Sequence, residues 1–146
     1  MPRRQLTQTA LRDRDYARLA GFRYALRRFL HFSETAARET GLSPGQYQLL
    51  LFVRAFGEAR PTVTDLAERL QVRHQSAVGI VERCERAGLV RRRRDRVDRR
   101  CVRVGLTARG SALVRRLALA HRRELGGLRT AMNFSRHSVR FPISTR

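Results

Sequence analysis

The chain has 146 residues, 42% of them hydrophobic, which suits one domain with a modest core and excludes a disordered basic tail. Its 32 basic residues face 12 acidic ones, a formal net charge of +20. That balance calls for a polyanionic partner, nucleic acid first and an acidic membrane surface second. All 32 basic residues are arginine, so lysine-based Schiff-base chemistry and the P-loop lysine are both excluded.

The N-terminus, MPRRQLTQTALRDRDYARLA, has no apolar signal core, and residues 1–12 read as a loose polar arm. From Asp13 to about Arg38, Tyr16, Leu19, Phe22, Leu26 and Phe29 recur at helical steps, and Gly41 closes the helix. A second helix starts at Ser43, with Pro44 at its first position and Gln46 completing a capping box. Its run Leu49–Phe56 is largely apolar, which predicts deep burial, and Gly57 stops it.

Thr62 and Asp65 repeat the start signal for a helix of about two turns, with Leu66, Ala67 and Leu70 inward. QVRH is a break. A longer helix follows, with Ala77, Ile80, Val81 and Cys84 on one face and Gly88 at its end. Leu89–Arg94 reads as a strand. In Cys101–Leu106, Val102, Val104 and Leu106 alternate with Cys101, Arg103 and Gly105, the period of a half-buried strand. Asp95–Arg99 is then the hairpin tip. Thr107 caps a last helix whose stripe Val114, Leu117, His121, Leu125, Leu128 runs to about Arg129.

The fold class is therefore mainly α with a small wing of two or three strands: a winged helix-turn-helix over 43–106, plus helical segments over 13–40 and 107–130. In such a unit the second helix enters the DNA major groove, and the ribbon reaches sideways to backbone or minor groove.

The segment PTVTDLAERLQVRHQSAVGIVERCERAGLVRRRRDRVDRRCVRVGLTARG resembles the DNA-binding core of the MarR family of bacterial transcriptional regulators. The matching features are TDLAERL, VERCERAGLVRR, the wing DRVDRR and the closing LTARG. The likeness covers about 13–130 and is strongest over 61–110. It implies a homodimer on palindromic double-stranded DNA, with the first and last helices forming the interface. It also implies a ligand-responsive repressor, with a pocket for a small aromatic or amphipathic effector and no cofactor or metal. The alternative is a non-specific basic protein, architectural or RNA-binding.

The recognition helix begins near Arg73, and the candidate groove residues are Arg73, His74, Gln75, Ser76 and Gly79. Gln75 suits adenine, and Arg73 suits guanine or phosphate. In the wing, Arg94, Asp98, Arg99 and Arg100 are the candidates. The family's Asp-x-Arg pattern is matched by Asp98 and Arg100, where the arginine enters the minor groove and the aspartate steadies it. The bland reading of Asp98 is a turn former. Asp95 is expected only to shape the turn, and Arg91–Arg94 to face phosphate or solvent.

Other chemistry has little support. Cys84 and Cys101 lack CxxC spacing; Cys84 is expected in the core and Cys101 on the wing face opposite the valines. His121 and Glu124 make a single His-x-x-Glu step, a poor metal signal. Enzyme motifs are missing from the sequence, so no enzymatic activity is expected. No apolar run approaches the ~18 residues of a membrane span, so a soluble cytoplasmic protein is expected. Residues 131–146, including MNFSRHSVRFPISTR, depart from the family pattern of a last apolar helix and are expected to be an altered dimer element.

Overall fold

A computed structural model of the chain describes residues 11–133. The order is α1 (Asp13–Glu39), α2 (Pro44–Phe56), a 3-10 turn (Gly57–Ala59), α3 (Val63–Leu70), α4 (His74–Arg86), β1 (Val90–Arg94), β2 (Val102–Leu106) and α5 (Ala108–Asn133). The described residues divide into two compact units, one over His31–Arg123 and one made of 11–30 with 124–133.

The first unit holds the core. Leu49, Leu50, Leu66, Val81, Leu89, Val90, Val104 and Val114 are all buried in one cluster. The start signals of α2 and α3 act as the sequence predicts. Ser43 accepts from the Gln46 amide while the Gln46 side chain accepts from the Ser43 amide, and Thr62 and Asp65 do the same. An eight-residue helix such as α3 is too short to persist alone. Its capping box and the complete burial of Leu66 hold it in place. The Asp65 carboxyl is held below its ordinary range, chiefly by the amide and hydroxyl of Thr62.

The break between α3 and α4 is a left-handed turn at Gln71 (φ 54°), whose amide donates to Glu68 while that of Val72 donates to Ala67. At the other end of α4, Gly88 (φ 70°) supplies the left-handed conformation that turns the chain into β1.

β1 and β2 form a two-stranded antiparallel hairpin in which Arg92 faces Val104 and Arg93 faces Arg103. The connector before α3 lies along its outer edge: Val104 donates to the Pro61 carbonyl, and Thr62 bridges Arg103. The alternation read in β2 is only partly realised, because Val104 is buried while Val102 is exposed.

α5 is seated by Thr107. Its amide donates to Leu89 O, its hydroxyl donates to Gly88 O, and that hydroxyl accepts from the Gly110 amide. The approach is so close that a Cβ on Gly110 would collide with the Leu89 carbonyl. The glycine of LTARG is thus fixed by packing.

His121 is buried within this unit. Its ring stacks on Tyr47 at 4.8 Å and meets Phe32 edge-on at 5.4 Å, and Nδ1 donates to Leu117 O at 2.6 Å. The Tyr47 hydroxyl is pushed above its ordinary value by the same burial.

α5 continues through Gly126 and Gly127 to Asn133, past the Arg129 read from the sequence and three residues into the segment expected to be an altered tail. Leu125, expected on the inward stripe, is exposed. Residues 1–10 of the expected arm and 134–146 of the tail lie outside the described residues. No helix among the described residues is long and apolar enough to cross a membrane.

Candidate nucleic-acid interface

α4 is two-faced. Ala77, Ile80, Val81 and Cys84 turn into the core, whereas Arg73, His74, Gln75 and Ser76 are exposed around its N-terminus. The helix starts at Arg73 without a side-chain cap. Its first-turn N–H groups therefore have no side-chain acceptor, and the positive end of the helix dipole points outward among polar side chains. Gly79 is half-buried, and a Cβ there would make only ordinary contact, at 3.5 Å, with Arg83. Packing within the chain does not demand this glycine.

The wing is more organised than a charge run. The sequence signalled Asp98 and Arg100 as the steering pair. In the structure Asp98 accepts from the Arg100 amide at 3.0 Å, whereas its carboxylate lies 3.6 Å from Arg100 Nε. The Arg100 side chain is 96% exposed and meets the Asp98 carboxylate through Nε alone. Asp98 turns the chain and leaves Arg100 extended into solvent. Arg94 and Arg99 are exposed as well.

Asp95, expected only to shape the turn, does more. One carboxylate oxygen accepts from the amides of Val97 (2.7 Å) and Asp98 (3.1 Å), and the other accepts from Arg103 Nε at 2.8 Å. These donors, the Val97 amide first and Arg103 next, pull its carboxyl down to about 2. Arg103 also donates through Nη1 to the Arg60 carbonyl at 3.0 Å.

Arg92, expected to be solvated or phosphate-facing, is instead tied to α4. Its amide and Nε donate to the two oxygens of Glu85 at 3.1 and 2.8 Å, and its Nη2 lies 2.7 Å from the same carboxylate. Arg92 holds the Glu85 carboxyl below the ordinary range. Hairpin register is the signal that finds the first of these pairs: Asp95 is hydrogen-bonded to Cys101, so Arg103 is its diagonal neighbour on the same face.

Cys84 is wholly buried, as expected, and burial pushes its thiol up to about 11. Cys101 is half-buried, with Sγ 3.7 Å from Asp98 Oδ2. Among the described residues no cluster of three or more His, Cys, Asp or Glu side chains is placed to hold a metal.

A three-helix lobe, a protruding second helix of the helix-turn-helix and a two-stranded hairpin beside it define a winged helix-turn-helix protein. Residues 40–100 match the model of the MarR family. Solved structures share the fold. A MarR family protein from Bacillus stearothermophilus superimposes with a TM-score of 0.70 at 23% identity, covering 87% of this chain and 92% of that one. AbsC, a MarR family transcriptional regulator from Streptomyces coelicolor, gives 0.65 at 24% identity, covering 84% and 80%. The MepR–DNA complex of S. aureus gives 0.61 at 23% identity, covering 73% and 81%. No curated protein sequence is significantly similar to the chain.

Proposed function

We propose that this chain is a transcription regulator that binds palindromic double-stranded DNA as a homodimer. The N-terminal residues of α4 lie in the major groove and the wing arginines reach the minor groove. The observation that carries this reading is the uncapped, exposed start of α4, with Arg73, His74, Gln75 and Ser76 around it. Gln75 has the donor–acceptor pair that adenine matches, and the free N–H groups suit a phosphate. Arg94, Arg99 and Arg100 supply exposed cationic reach beside them. MepR, which shares the fold, has been solved bound to DNA.

The dimer has its own support. On α1, Tyr16, Leu19 and Leu30 share a helical face and are 58%, 47% and 44% exposed. An apolar face of this kind calls for a partner. A small amphipathic effector that releases DNA belongs to the same reading. Each unit contains a cavity of a size that suits one. The cavity of about 340 Å³ includes Tyr24, Phe29 and Leu128, and that of about 400 Å³ includes Arg54, Arg60 and Leu106.

The net charge of +20 favours one rival, a non-specific basic protein. Selection of bound duplexes from a random pool, followed by footprinting, separates the two. A regulator enriches a palindrome with half-sites about one helical turn apart and protects it against a large excess of random DNA. Enrichment of no sequence would leave the architectural reading.

A further inference from the structure

The wing is anchored at two heights. Near its base, Arg92 of β1 is clamped to Glu85 of α4 by three nitrogen contacts. One rung nearer the tip, Arg103 of β2 reaches in two directions, to the Asp95 carboxylate and to the Arg60 carbonyl 43 residues away in sequence. The same carboxylate of Asp95 accepts the Val97 and Asp98 amides. One side chain therefore joins the fold of the tip to the connector before α3. Asp98 makes no comparable link, since its carboxylate contacts Arg100 and Cys101 within the same turn.

We infer that Asp95, acting through Arg103, is the positioning residue that fixes where the wing tip carries Arg96, Arg99 and Arg100. This rests on the DNA-binding reading above and assigns a determinant of selectivity within it. The relay uses two of the eight arginines between Leu89 and Thr107 as structure, Arg103 here and Arg92 at the base, and leaves the tip arginines exposed for contact. A pre-set tip delivers its arginines to a narrow groove without first losing the freedom of a floppy loop.

Charge alone and the relay predict opposite signs for one substitution. Asp95→Asn removes a negative charge from a DNA-facing segment, which by simple electrostatics tightens binding. The asparagine carbonyl still accepts the turn amides, but the charged bond to Arg103 is lost. The relay therefore predicts weaker selective binding. Arg103→Lys keeps the charge but has one nitrogen where two are needed, and it behaves like Asp95→Asn. Glu68→Gln, which removes an exposed carboxylate on α3 outside the wing, serves as the control.

The test uses the full chain and two probes: the duplex that the unsubstituted protein enriches from a random pool, and a random-sequence duplex. Native-state trypsin cleavage after Arg96, Arg99 and Arg100 reports tip order without DNA, and thermal melting reports the fold. The expected result is faster tip cleavage in Asp95→Asn and Arg103→Lys at an unchanged melting temperature. Their affinity for the selected duplex falls roughly fivefold, the scale of one partly exposed ion pair, and is undiminished for the random one. Glu68→Gln shows neither change. Unaltered tip cleavage, or selected-duplex binding by Asp95→Asn as tight as before, overturns the inference. If the unsubstituted chain selects no duplex, the DNA-binding reading fails and the delivery of arginines with it. The cleavage rates still decide whether Asp95 holds the tip.

Discussion

Two glycines of α5 give opposite predictions for the same substitution. Gly110 lies against the Leu89 carbonyl, where an added Cβ collides with backbone. That carbonyl also accepts the Thr107 amide at 3.0 Å. Gly110→Ala must push the first turn of α5 off β1, and overpacking of this kind costs about 1–3 kcal/mol. A strained or broken hydrogen bond adds about 1 kcal/mol. The gain in helix propensity returns about 1 kcal/mol. The net loss is about 1–3 kcal/mol. Gly127 has nothing within 4 Å of its Cβ position. Gly127→Ala therefore keeps only the propensity term and stabilises by up to about 1 kcal/mol. Urea unfolding followed by circular dichroism measures both. Equal or greater stability in Gly110→Ala would refute the seating of α5 on Leu89.

Three further predictions concern the thiols and the wing. Under native conditions a thiol reagent modifies Cys101 and spares Cys84, and both react after unfolding; a reactive Cys84 would contradict its burial. The raised thiol of Cys84 favours folding fully below the ordinary thiol range, and that contribution is lost as pH climbs towards about 11. Arg100→Ala, which removes a side chain 96% exposed, weakens duplex binding at physiological salt without moving the unfolding midpoint. Unchanged anisotropy titrations would remove Arg100 from the interface.

The helices were legible because their signals are local. Ser43–Gln46 and Thr62–Asp65 are capping boxes whose partners lie three residues apart, and the inward face of α4 follows from the 3.6 period. The wing's internal bonds were not legible in the same way. Glu85 and Arg92 are seven residues apart, Asp95 and Arg103 eight, and Arg103 and Arg60 forty-three. These contacts exist only once the hairpin register and the connector are in place. The family pattern falls on Asp98 and Arg100, whose spacing matches it, whereas the partner of Asp95 lies across the hairpin. The 3-10 turn at Gly57–Ala59 was missed because a single short turn leaves no periodicity to read. The length of α5 past Arg129 was missed because Gly126 and Gly127 read as a weak helix end.

The central claim is that the exposed start of α4 reads base sequence. Gln75→Ala tests it most directly, by fluorescence anisotropy on the selected duplex and on a scrambled one at about 0.15 M salt. A bidentate base contact discriminates by about 1–3 kcal/mol. Selectivity is therefore expected to fall roughly tenfold or more, with binding to the scrambled duplex unchanged. An unaltered ratio of the two affinities, with Arg73→Ala and His74→Ala equally silent, would contradict the account.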